Sequence, residues 1–306
     1  MNWALALAVA ALAAPYGIEA LRRPMDATAR KGADGSLAHL RQGVTHYRWD
    51  GPENGPVAVC IHGLTTPRYT YDGLIPHLAD MGFRVLSYDL YGRGFSDRPF
   101  GRQDADFFCR QPEELLRDQE IDGSVTLIGN SMGSAISTAF AARHPDRVRQ
   151  VVLLVPAGMG HELGMVAKIA QRVPGIGDWL IQALYPRTLR KGSAAERDTP
   201  GTVPGIADRQ VAELRYRGLL RSVTASLRGM LSPTQDAEHR AVHAAGVPVI
   251  AVWGARDSVI PITCKGRLES ANPDAEQVVI DDAGHGLVYT HTQDLVERIT
   301  PVLKKG

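Results

Sequence analysis

The chain has 306 residues, 44% of them hydrophobic, and its 34 basic and 33 acidic side chains leave a formal net charge of +1. That length buries a large core, as one domain with an insertion or as two domains, and the near-neutral balance excludes a nucleic-acid binder working through a strong basic field. Cys60, Cys109 and Cys264 are an odd number without metal-ligand spacing, so free buried thiols are expected and a disulfide framework or zinc site is not.

Residues 1–23 open with an uncharged Ala/Leu/Val run, Trp3 to Ala14, which stops at Pro15 and is followed by Arg22 and Arg23. The run is short for a spanning helix, which needs about 20 apolar residues. No Lys or Arg precedes it, as a secretory signal requires, although Ala11-Leu12-Ala13 is a weak cleavage-like match. The favoured reading is a helix that touches a membrane surface through residues 3–18. Were it to span, Arg22, Arg23, Arg30 and Lys31 would hold the following domain on the cytoplasmic side. The competing reading docks the helix on the domain itself or on a partner subunit.

Gly43 to Trp49 alternates like a half-exposed strand, and residues 51–55 form a turn. Val57 to Ile61 is a continuous apolar run suited to a central parallel strand, and it ends at His62-Gly63-Leu64. Gly63 lets the backbone N–H of Leu64 point into a site, while His62 reads as a brace for the loop. A helix is expected over 71–81 with Leu74, Ile75 and Leu78 inward, then a strand from Phe83 to Tyr88. Asp89 to Pro99 is punctuated by glycines but has no lysine or following helix of the phosphate-binding kind, so it reads as a structural turn beside the site. Phe107 to Gln119 supplies a crossing helix.

Ser124 to Ile128 has the residue types of a buried strand and breaks into Gly129-Asn130-Ser131-Met132-Gly133, after which Met132 to Arg143 is an alanine-rich helix ended by His144-Pro145. A strand turning straight into a helix needs close backbone approach, which Gly129 and Gly133 permit. Ser131 then stands exposed at a helix N-terminus, where unpaired N–H groups can hold a forming anion. Val148 to Val155 is a further strand.

Strand–helix alternation lapses over 158–245, a helix-compatible stretch broken by Pro174, Pro186, Pro200 and Pro204, read as an inserted helical cap that shapes an apolar pocket. Within it Tyr216, Arg217 and Arg221 are expected to face water. Alternation resumes with the strand Val247 to Trp253, closed by Gly254-Ala255-Arg256-Asp257. The last strand, Glu276 to Ile280, leads into Ala283-Gly284-His285. Open α/β sheets bind ligands at such strand ends.

The order Ser131, Asp257, His285, with the His62-Gly63-Leu64 loop and Gly92-Arg93-Gly94-Phe95-Ser96, resembles the α/β-hydrolase superfamily over residues 36–303. The resemblance implies a mostly parallel sheet with helices on both faces, its core formed by 36–157 and 246–306. It implies Ser131 as nucleophile, His285 as general base and acid, Asp257 as the acid that orients it, and the N–H groups of Leu64 and Met132 as an oxyanion hole supported by His62, Gly63, Gly129, Asn130 and Gly133. No metal or organic cofactor is implied, and the expected partner is a small-molecule ester or acyl substrate. Relatives that attack alkyl carbons carry an aspartate at the nucleophile position, so Ser131 favours acyl chemistry. Carboxylic-ester hydrolysis, as in enzymes similar to monoacylglycerol lipases, leads. Asn130 also resembles the elbow of meta-cleavage-product hydrolases, which break carbon–carbon bonds, although Leu64-Thr65-Thr66-Pro67 and Gly286 depart from their pattern. Ligand binding without turnover, as in hormone receptors of this fold, is the third reading.

Overall fold

The computed structural model describes residues 3–160 and 163–303. In chain order, α1 (Trp3–Ala20) precedes β1 (Ser36–Leu40), β2 (Gly43–Asp50), β3 (Val57–Ile61), α2 (Ile75–Asp80), β4 (Arg84–Tyr88), α3 (Ala105–Asp118), β5 (Val125–Asn130), α4 (Met132–Arg143) and β6 (Val148–Leu154). The helices α5 (Met165–Arg172), α6 (Ile176–Glu196), α7 (Ile206–Ala212), α8 (Leu219–Arg228) and α9 (Asp236–Ala244) follow, and β7 (Val249–Gly254), α10 (Lys265–Ala271), β8 (Glu276–Ile280), α11 (Leu287–Thr290) and α12 (Thr292–Leu303) close the chain.

The strands form one sheet in the order β1-β2-β4-β3-β5-β6-β7-β8. β2 is antiparallel to both β1 and β4, and the pairs from β4 through β8 are parallel. β5 and β7 are buried along their whole length, which is why they read as unbroken apolar runs and not as alternating ones. One face packs Phe108, Leu115, Ile136 and Phe140 of α3 and α4, and the other packs Ile75, Leu78, Leu295 and Ile299 of α2 and α12. All three cysteines are free and buried.

Three elements differ from expectation. β1 lies in a polar segment with no strand signal of its own, held as the sheet's edge by pairing with β2. The helix expected over 71–81 is a 3-10 turn, Arg68–Tyr71, and a shorter α2, because Pro76 lacks an N–H and fits only the first helical turn. In contrast, α1 runs through Pro15 to Ala20; the carbonyl that Pro15 leaves without a donor belongs to Ala11, which is exposed to water.

The helices α5 to α8 enclose a small core of Ala170, Ile181, Leu214, Leu220 and Val223, braced by Asp178, which accepts two hydrogen bonds of 2.9 Å from Arg228. The last helix of the 158–245 stretch, α9, packs instead on α4 and α10 with the sheet layer.

The insertion meets the sheet through Glu213. Its carboxylate accepts from the Gly94 N–H at 2.9 Å and faces Arg98 at 3.6 Å. Beneath it Asp89 accepts from His46 at 2.7 Å and from the Arg68 and Phe95 N–H groups, both at 2.9 Å. Burial raises Glu213 from its ordinary 4.5 to about 7, with Arg98 opposing. Burial also pushes Asp89 upward, but the His46 hydrogen bond and charge outweigh it and hold Asp89 at about 2. A raised carboxyl contributes stability that is complete below its unfolded pKa and lost as pH rises through the folded one. Urea-unfolding profiles of the wild type and Glu213→Gln are therefore expected to diverge between about pH 5 and pH 8, the wild type losing stability relative to the variant as pH rises; the comparison removes His46, whose raised pKa gives a slope of the same sign, and His62 and His239, whose lowered pKa values give the opposite one. A pH-independent difference between the two proteins would refute the assignment.

Candidate active site

β3 and β5 are neighbours, with Ile61 paired to Gly129, so the loop after one and the turn after the other emerge side by side. At the turn Ser131 is held at φ +55° and ψ −117°, a conformation that non-glycine residues adopt at a cost. It is pinned by its N–H to Leu154 O at 2.8 Å and by Ala157 N–H donating to its carbonyl at 3.2 Å. The flanking glycines allow the turn to close. A Cβ on Gly133 would lie 1.8 Å from the Ile61 carbonyl oxygen, and one on Gly129 would lie 2.4 Å from the Gly133 oxygen.

The structure brings Ser131, His285 and Asp257 together from β5, β8 and β7. His285 Nε2 is 3.1 Å from Ser131 Oγ, and His285 Nδ1 is 2.8 Å from Asp257 Oδ2. Asp257 is fully shielded from solvent while His285 keeps 28% of its side chain exposed. The second carboxylate oxygen of Asp257 accepts from the N–H groups of Val259 and Ile260 at 2.7 and 2.8 Å, which leaves Oδ2 for the imidazole. With Nδ1–H directed at a carboxylate, Nε2 presents its lone pair to the serine hydroxyl.

The His62 loop lies against the serine: a Cβ on Gly63 would be 3.2 Å from Ser131 Cβ. His62 is completely buried, and burial lowers its pKa to about 4, so the ring is neutral. It accepts the Leu90 N–H on Nε2 at 2.8 Å and therefore donates from Nδ1 to Gly63 O, also at 2.8 Å. That carbonyl shares a trans peptide with the Leu64 N–H, which must point the opposite way. Arg93 Nε holds the next carbonyl, Leu64 O, at 2.8 Å, so the glycine-punctuated 89–99 loop fixes the second side of the same turn. Among the described residues neither the Leu64 nor the Met132 N–H donates to another protein group. Asn130 lines the site with its buried Oδ1 likewise unpaired.

These groups open into a cavity of about 260 Å³, lined also by Leu163, Tyr185, Leu227 and Leu231 of the insertion and by Tyr289. Sequence reasoning did not single out these wall residues. They are ordinary apolar positions on helices and in the segments between them, and nothing in their spacing distinguishes a cavity wall from the insertion's own core. Among the described residues the lining contains no Lys or Arg, and no group of three or more His, Cys, Asp or Glu side chains could hold a metal ion.

The model of the alpha/beta hydrolase fold family matches residues 56–292. A haloalkane dehalogenase of Mycolicibacterium paratuberculosis is 30% identical over 70% of this chain and 72% of that protein. The 2-hydroxy-6-oxo-2,4-heptadienoate hydrolase of Pseudomonas putida is 27% identical over 81% of this chain and 89% of the relative. Among solved structures, a thermophilic esterase from Thermogutta terrifontis superposes with a TM-score of 0.72 at 20% identity, covering 89% of this chain and 99% of the other.

Proposed function

The chain belongs to the alpha/beta hydrolase fold family, and from that premise we propose that it is a serine hydrolase cleaving a carboxylic ester through an acyl-enzyme on Ser131. The observation that carries the reading is the hydrogen-bonded line from Ser131 Oγ through His285 to the shielded Asp257, opening into a largely apolar cavity without a cation among the described residues.

In the first half-reaction His285 Nε2 takes the hydroxyl proton as Ser131 Oγ bonds to the ester carbonyl carbon. Asp257 holds the imidazole tautomer and stabilises the imidazolium. The carbonyl oxygen, now an oxyanion, accepts from the Leu64 and Met132 N–H groups; one such donor typically contributes roughly 3 to 4 kcal/mol to the barrier reduction. The carbon–alkoxy bond then breaks, His285 returns the proton to the departing alcohol, and water repeats the sequence to release the acid. His62 acts by aiming the Leu64 peptide.

The reaction named for the dehalogenase relative does not transfer, because displacement at an alkyl carbon calls for a carboxylate where this chain has Ser131. Carbon–carbon hydrolysis is the second reading, supported by the Pseudomonas putida relative and by the unpaired oxygen of Asn130. A dienoate substrate, however, carries a carboxylate that a wall without cations serves poorly. Were α1 to span a membrane, Arg22, Arg23, Arg30 and Lys31 after it would hold the domain on the cytoplasmic side.

The test is hydrolysis of p-nitrophenyl esters from acetate to palmitate, alongside a 2-hydroxy-6-oxo dienoate and a fluorophosphonate label. The cavity falls just below the roughly 300–1,000 Å³ of pockets for drug-sized ligands, so a short-to-medium acyl optimum is expected, with stoichiometric labelling of Ser131. Dienoate turnover without ester turnover would transfer the assignment to the carbon–carbon class. Tight ligand binding with no labelling would transfer it to a non-catalytic member of the fold.

A further inference from the structure

The apolar helix α1 is not a free appendage. It is tied to the insertion through the Leu12 carbonyl, which accepts from Trp179 Nε1 at 3.0 Å, and through the Glu19 carboxylate, which accepts the Gly218 N–H at 2.6 Å. Beyond the helix, Arg23 donates to Arg215 O and accepts from the Arg217 N–H, at 3.0 and 2.8 Å, and Arg217 also donates to Ala20 O at 3.4 Å. Arg217 thus serves as part of this tie.

The direction of docking follows from two points: Leu12 meets Trp179, and Arg22 lies within electrostatic reach of Arg190. α1 and α6 therefore run the same way. Because α6 begins at Ile176, three residues before Trp179, Ile176 is level with Val9 and residues 3–8 project beyond the start of α6. At about 1.5 Å per residue they extend about 9 Å, roughly a third of a bilayer's roughly 30 Å hydrocarbon core. Trp3, Leu5 and Leu7 on this projection are all exposed, and at its foot Val9, Val173 and Ile176 are exposed as well, the last two at 40% and 62%.

Two segments far apart in sequence thus present apolar side chains at one corner, and the helical part is apolar all round, without a polar face for water. Arg172, the last residue of α5, is exposed beside Val173. We propose that this corner, residues 3–9 together with Val173 and Ile176, enters one leaflet of a lipid bilayer, with Arg172 at the headgroups. The all-round apolar surface selects the bilayer over a second copy of this chain, because lipid covers every side of the helix whereas a paired copy covers one. The contact falls on α6, the helix that also supplies Tyr185 to the cavity wall, so the insertion, and not the sheet, faces the membrane.

The full chain is tested by co-sedimentation with phosphatidylcholine vesicles, with and without about 30% phosphatidylglycerol. Binding to both vesicles is expected, and it should persist in added salt because the contact is apolar. Binding should fall roughly tenfold or more in Leu7→Asp and separately in Val173→Asp/Ile176→Asp. Those side chains are exposed, so the folded state is retained, and hydrolysis of soluble p-nitrophenyl acetate in the same samples reports on the pocket independently of the lipid result. The proposal is overturned if the wild type stays in the supernatant with both vesicles, if it sediments as a dimer that ignores vesicles, if it binds only anionic vesicles and is released by salt, or if the Val173/Ile176 variant binds like the wild type.

Discussion

Ser131→Ala is expected to lower kcat/KM for p-nitrophenyl butyrate by roughly 10⁵- to 10⁶-fold while leaving the thermal unfolding midpoint nearly unchanged. The size follows from the role: without Oγ there is no nucleophile for His285 Nε2 to activate across its 3.1 Å contact, and only binding and oxyanion stabilisation remain, typically about 10³- to 10⁴-fold over water. The fold is spared because Ala must adopt the same φ of +55° at a cost close to that of Ser, and the backbone bonds that pin the turn do not involve the side chain. Stopped-flow and steady-state release of p-nitrophenolate, with circular dichroism melts on the same samples, decide the matter. Residual activity within about tenfold of wild type would remove Ser131 from the mechanism.

Gly133→Ala carries the largest expected effect on stability, a loss of roughly 3 kcal/mol or more. The added Cβ would meet the Ile61 oxygen at 1.8 Å, the Ile61 carbon at 2.6 Å and the His62 oxygen at 2.7 Å. All three are backbone atoms of the central strand β3 and the loop beside Ser131, so no rotamer change relieves the clash. Moving α4 away would separate Ser131 from the His62 loop and disrupt activity together with stability. The contrasting substitution is Gly192→Ala toward the C-terminal end of α6, where a Cβ meets nothing within 4 Å; replacing a helical glycine should stabilise by roughly 0.5–1 kcal/mol. Urea unfolding of the pair gives opposite signs if close approach at Gly133, and not generic loss of glycine, is the cause. Equal midpoints for Gly133→Ala and wild type would show that the elbow tolerates a side chain.

The central strands and the elbow were legible because their physics is local. A strand covered on both faces must be apolar throughout, as β5 is, and a strand that folds back into a helix within one residue needs glycine on either side. The 89–99 loop was legible as a structural turn beside the site, but its task was not. Only the fold shows Arg93 reaching Leu64 O and Asp89 gathering His46, Arg68 and Phe95. Buried Glu213 is equally invisible in sequence, where it sits in a polar stretch indistinguishable from a solvated surface, and its raised pKa arises from the loop that packs over it.

The sequence by itself determined the sheet's central strands, the places of Ser131, Asp257 and His285 each just after an apolar run, and the need for glycine around the serine, since each is read from residues within a few positions of one another. The tertiary structure alone decided that these three side chains meet at 3.1 and 2.8 Å, that the His62 ring aims the Leu64 peptide, which residues of α6, α8 and the segments beside α5 and α8 wall a cavity of about 260 Å³, and that α1 docks along α6. Those outcomes depend on contacts between segments tens to hundreds of residues apart, set by strand order and by which apolar faces find each other, and no local pattern encodes them.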